Sequence, residues 1–181
     1  MTNGIKKDIV LGVALVALIV AWRVLTHFST HAWNVAPVTA ATLLAGMVMS
    51  RKWAVAVPLL GMFMADLIIG FYHLPVMLTV YACFALMVLP GAWLKELKAH
   101  KLVLASLASS TFFFLVTNFA VLASADWYPK TMAGLMLCYD LAIPFFRNAM
   151  LGDLAFTGVL FGIWAVVGRF VLVPRSVPER V

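Results

Sequence analysis

Charge is what this chain has least of. Asp, Glu, Lys and Arg make up 11% of its 181 residues, against 65% hydrophobic residues and a mean hydropathy of +1.05. A soluble domain carries about a quarter charged residues, so that class is excluded. Cysteine is rare too, and two residues, Cys83 and Cys138, cannot build a disulfide framework. A glycine-rich phosphate loop is missing, which removes nucleotide binding. Metal-ligand spacings are missing as well. His27 and His31 stand four apart, but no carboxylate or cysteine lies beside them and Pro37 argues for a loop, so zinc is not expected. The net charge of +6 is spread through the loops and not gathered on one face, so no nucleic-acid partner is expected. Lys6-Lys7 before an apolar run looks like a signal peptide. No small-residue cleavage site follows, however, and Trp22-Arg23 closes the run.

What the chain does have is long apolar runs. They predict a single all-α domain over residues 1–181, an integral membrane bundle of six helical spans. The spans are Ile9–Leu25, Pro37–Met49, Trp53–Tyr72, Pro75–Leu94, Leu102–Ser124 and Asn148–Leu172. The second is short for a crossing, so it either packs inside the bundle or stops below the surface. The positive-inside rule sets orientation. With the N-terminus in the cytoplasm, ten Lys and Arg residues fall in inner segments, and Arg23, Lys130 and Arg147 fall in outer ones. Both termini are then cytoplasmic, and the tail after Pro174 is short and polar.

The polar residues inside the spans gather in the outer half. Asp66 lies roughly 9 Å below the outer end of the third span, Cys83 roughly 12 Å below that of the fourth, and Thr117 and Asn118 roughly 9 Å below that of the fifth. A carboxylate in a span is costly and points to function. A short helix over Thr131–Ala142, capped by Thr131 and ended by Pro144, is predicted to carry Cys138, Tyr139 and Asp140. Arg147, Asn148 and Asp153 then open the sixth span, where Arg147 and Asp153 stand close enough to pair. The inner half holds only Ser106, Ser109, Ser110 and Thr111. No chain of acids crosses the membrane, as a proton path requires. Matching broken helices, as in inverted-repeat carriers, are also missing. The pattern is a cup closed at its base, suited to a bulky and partly apolar ligand. An aspartyl protease pair of Asp66 and Asp153 has no specific motif behind it. Cys83 reads either as a small core hydrophobe or as a soft metal ligand in the cup. Ala17 and Ala21 share one face of the first span, where small residues let a partner helix approach.

The blocks VAPVTAATLLAG, LLGMFMADLIIGFY, FFFLVTNFAVL, YPKTMAGLMLCY and IPFFRNAMLGDLAFTGVLFG, between Val35 and Gly162, resemble the substrate-binding (S) components of energy-coupling-factor vitamin transporters. Cys83 stands where the solitary, cobalamin-type members carry a cysteine and where the rest more often have a small residue. The Cys138-Tyr139 pair belongs to the wider family. The resemblance implies six helices in a bacterial cytoplasmic (inner) membrane and an outward pocket capped by the first outer loop. It also implies a small-residue face on the first span, here Ala17 and Ala21, that docks a transmembrane coupling subunit driven by two ATPases.

On that basis cobalamin or a related corrinoid is expected as the bound substrate, with Cys83 as axial cobalt ligand and His31 as the competing ligand. His31, Asp66, Tyr81, Thr117, Asn118, Tyr139, Arg147 and Asp153 are expected around it, with Asp153 tied to Arg147. An enzymatic variant has the Cys83 thiolate, bound to cobalt, help expel an upper cyanide. The alternative is an S component for another vitamin or small molecule, in which Cys83 is structural.

Overall fold

The computed structural model describes residues 2–29, 34–94 and 97–171. Every regular element among them is a helix: α1 Thr2–Ser29, α2 Val38–Val48, α3 Arg51–Ile69, α4 Leu74–Leu86, α5 Val88–Trp93, α6 Ala99–Ser124 and α7 Met132–Val171. In apolar runs of this length a helix is favoured because it satisfies its own backbone groups. Among the described residues five helices are long and apolar enough to cross a membrane, with α4 and α5 together forming one of them, Leu74–Trp93.

The local stop signals are chemical. Gly70 ends α3 at φ +109°, a conformation open to glycine, while its N–H bonds the Asp66 carbonyl at 2.9 Å. Thr131 Oγ1 accepts the Gly134 N–H at 3.2 Å and so caps α7. The α4–α5 break at Met87 precedes Pro90, which has no N–H to offer the Leu86 carbonyl one turn back. Pro144 does not end a helix, contrary to the expectation from sequence. α7 runs through it for 40 residues, just as α3 runs through Pro58. Inside a packed apolar bundle, neighbouring helices compensate for the missing bond.

α2 is the short helix at the centre. Val38 to Gly46 are all buried, so the second predicted span packs inside the bundle. Around it α1 lies on α3, α5 on α2, and α6 on both α4 and α7. α1 and α3 run in the same direction. Near their start the Asp8 carboxylate accepts the Ser50 N–H at 3.0 Å and the Ser50 hydroxyl at 2.8 Å. Near their finish Arg23 meets Asp66. We call the end where α1, α3 and α6 finish the distal end. The proximal half is filled by Leu43, Leu44, Met49, Val88 and Leu94, all buried in one apolar cluster.

α6 and α7 pack on one another. The Cys138 thiol reaches the Asn118 carbonyl at 3.6 Å, and the Ser110 hydroxyl reaches Asp153 at 2.6 Å. Between these contacts α6 advances 8 residues and α7 advances 15. At 1.5 Å per residue that is about 12 Å against about 22 Å. α7 therefore takes the longer path between the two contacts, and residues of both helices line a cavity.

Candidate functional site

A cavity of about 410 Å³ extends from mid-depth toward the distal end. One wall is aromatic. Phe84 from α4 and Phe113 from α6 lie with ring centroids 5.0 Å apart. Phe114 of α6 stacks on Phe146 of α7 at 4.4 Å, and Phe145 is also part of the lining. The polar groups are few and separated, which is how small-molecule pockets fix orientation.

The deepest polar group is Asp153. It is only 7% exposed and accepts the Ser110 hydroxyl at 2.6 Å, with the Thr39 hydroxyl of α2 on the same carboxylate. Ser110 lies midway along α6, so Asp153 sits at mid-depth and not at the mouth of a span. The difference from the expectation follows from α7, which begins at Met132 and not near Asn148. Among the described residues no ion pair joins Asp153 to Arg147. Arg147 is exposed, and six positions along a helix turn it well away from Asp153. Below the carboxylate, Thr157 bonds Ser106 at 3.4 Å, and the buried Ser109 hydroxyl has no partner among the described residues.

Thr117 and Asn118 also line the cavity. Thr117 donates to the Phe113 carbonyl at 2.7 Å, and the Asn118 amide donates to the Phe114 carbonyl at 2.8 Å. Both side chains are thereby folded back onto α6, and the oxygen of the Asn118 amide remains as an acceptor.

Asp66 lies one layer behind. It is 1% exposed, receives Arg23 Nη2 at 2.7 Å and the Tyr81 hydroxyl at 2.7 Å, and it is Arg23 that lines the cavity. Tyr81 faces Asp66 and stands outside the lining. Tyr72, in the turn between α3 and α4, does line it. Burial, then the nearby Asp66 carboxylate, pushes its phenol up to about 12, so it is a neutral hydrogen-bonding group at neutral pH.

Cys83 is placed differently from the expectation. Val80 and Phe84 line the cavity, while Cys83 between them is 1% exposed within the apolar cluster and is not part of the lining. Among the described residues no group of three or more His, Cys, Asp or Glu side chains could hold a metal. Tyr139 likewise stands outside. Its hydroxyl donates to the Leu115 carbonyl at 2.6 Å, and with Cys138 it clamps α7 to two successive turns of α6. His31 lies outside the described residues.

The distal cover begins at Asn34, whose φ of +62° is one that asparagine tolerates. The Trp22 indole donates to the Val35 carbonyl at 2.7 Å. Gly152 of α7 allows Val35 to sit close, since a Cβ there would stand 2.9 Å from a Val35 methyl. Sequence reasoning missed Arg23, Thr39, Phe145, Phe146 and the bond from Ser110. The one usable signal was Arg23, a cation at the end of an apolar run that needs an anion.

No curated protein and no solved structure matches the chain. A family model does match, over residues 3–176, nearly the whole length, and the chain therefore belongs to the family of unknown function DUF6580.

Proposed function

We propose that this chain is the substrate-binding component of a membrane uptake system for a small, vitamin-like solute. In this reading it spans a bacterial inner membrane six times, with both termini in the cytoplasm, as the distribution of Lys and Arg suggests. The observation that carries the proposal is the cavity, an aromatic recess with isolated polar groups at one end of an apolar bundle whose other half holds a buried apolar cluster. A recess of that kind holds a ligand but offers it no way through, so movement needs partners. The resemblance to energy-coupling-factor S components supplies their type, a transmembrane coupling subunit with ATPases. α1 has a face to offer them, because Ala17 and Ala21 are exposed in line with Val10, Val13 and Leu25.

Replacing Ala17 and Ala21 with leucine is expected to abolish uptake by cells and to leave ligand binding by the purified protein unchanged. Loss of binding would assign them to the pocket instead. The function itself is tested by native mass spectrometry of the protein gently extracted from its membrane, which should carry a bound small molecule. Protein free of any ligand, in cells that take up the same solutes after deletion of the gene, would refute it.

Two solute classes compete. The resemblance to cobalamin-type members favours a corrinoid held through cobalt by Cys83. The geometry favours a smaller solute, with Cys83 as core filler. The volume sits at the low end of the about 300–1,000 Å³ typical of small-molecule sites, and the thiol is packed in the core. Cyanocobalamin separates them. With a smaller solute, purified protein leaves its visible spectrum unchanged, and Cys83→Ala alters only stability, by a loss of about 1 kcal/mol for a small buried side chain. A spectral change or cyanide loss that vanishes in Cys83→Ala would restore the thiolate as axial ligand.

A further inference from the structure

Two opposite charges reach the cavity, and only one is matched inside the protein. Arg23 is held at 2.7 Å by Asp66, so its charge is met behind the wall. Asp153 has hydroxyl partners, Ser110 at 2.6 Å and Thr39, and no described cation within salt-bridge distance. Hydroxyls satisfy the hydrogen bonds of a carboxylate without cancelling its charge. Five phenylalanines line the same cavity, and aromatic faces attract cations. An uncharged hydrocarbon would bury this acid without compensation, which is costly. An anion would be repelled by Asp153, and the charge of Arg23 is already met by Asp66, although the Arg23 Nε has no partner among the described residues.

We infer that the solute is a flat nitrogen heteroaromatic carrying positive charge, its ring lying against the aromatic lining formed by Phe113 and by the stacked Phe114–Phe146 pair, and its cationic edge meeting Asp153. This rests on the cavity being the solute site. Such a molecule answers each feature at once: aromatic area for the walls, charge for the acid, and a small hydrogen-bonding group for Asn118 and Tyr72 near the distal mouth.

The test uses the full-length protein in detergent and two probes of nearly the same shape. One is 1-methylquinolinium, permanently charged. The other is 4-methylquinoline, uncharged at about pH 8. Equilibrium dialysis should give the cation the higher affinity by roughly tenfold, the scale of a desolvated charge meeting aromatic faces and an acid. Asp153→Asn, which keeps the shape and the hydroxyl contacts, should erase that preference while leaving 4-methylquinoline binding in place. Phe146→Leu serves if Asp153→Asn does not fold, and it should weaken the cation more than the neutral probe. Equal affinity of the two probes for the unmodified protein would overturn the inference, and so would a preference that survives both substitutions. If only 4-methylquinoline bound, the cationic class would fall and the solute cavity would stand. If neither bound at millimolar concentration, both would fall.

Discussion

Arg23→Leu is expected to be among the most damaging single changes in this protein, costing about 3 kcal/mol, because it strips a buried carboxylate of its half-buried cationic partner. Asp66 is 1% exposed, and its two oxygens are shared between Arg23 Nη2 and the Tyr81 hydroxyl, each at 2.7 Å. Without the guanidinium the carboxylate keeps one neutral donor and no cation, inside an apolar bundle. The three groups come from α1, α3 and α4, so the same loss unties the helices that wall one side of the cavity. Tyr81→Phe removes only a hydrogen bond to a charged group and should cost about 1.5–3 kcal/mol. The double variant Arg23→Leu/Asp66→Leu should recover most of the stability lost in Arg23→Leu, because no charge is left behind. Melting temperatures in one detergent decide the matter. A double variant no more stable than Arg23→Leu would mean that the pair does not account for the loss.

That pair also shows what could be read in advance and what could not. Asp66 stands out in any reading as an acid in an apolar run. Its partner lies 43 residues upstream, and only the parallel packing of α1 on α3 brings the two together. Thr117, Asn118 and Asp153 were legible as polar groups in apolar spans, and all three line the cavity. Their depths were not equally legible. Counting from a helix start at Asn148 puts Asp153 near the surface and Ser110 in the opposite half, whereas the continuous α7 brings the two within 2.6 Å. Pro144 caused that error, since the same residue that stops a helix in water is tolerated where packed helices shield the backbone. Cys83, expected in the pocket, stands outside its lining for another reason. Val80 and Phe84 are four apart and share a face, while Cys83 stands one position, about 100°, around the helix from Phe84. In a helix apolar on every side, periodicity carries no signal about which face meets the cavity. The resemblance to cobalamin-type proteins singled out Cys83 by its position in the chain, and position in the chain does not report that rotation.

Gly91→Val should have the other large effect, and it acts far from the cavity. α2 and α5 touch through bare backbone at Gly46 and Gly91. A Cβ on Gly91 would collide with the Leu43 carbonyl oxygen and stand 3.0 Å from the Leu43 Cα. A Cβ on Gly46 would collide with the Val88 carbonyl oxygen and stand 3.1 Å from the Gly91 Cα. The obstacles are backbone atoms of packed helices, so no rotamer change can relieve them, and the helices must separate. Overpacking in a core ordinarily costs about 1–3 kcal/mol, and a β-branched side chain facing a rigid backbone belongs at or above the top of that range. The seam matters to the site because α2 carries Thr39 on its distal turn and α5 follows directly from the helix that carries Val80 and Phe84. Pushing α5 away from α2 shifts both walls. Gly91→Val is therefore expected to yield little monodisperse protein, and Gly91→Ala to melt well below the unmodified chain. Gly158 in α7 is the internal control, since a methyl group added there would meet nothing within 4 Å. Gly158→Ala should match or exceed the unmodified protein, because alanine favours a helix over glycine by about 1 kcal/mol. Equal melting of Gly91→Ala and Gly158→Ala would refute the close approach of α2 and α5.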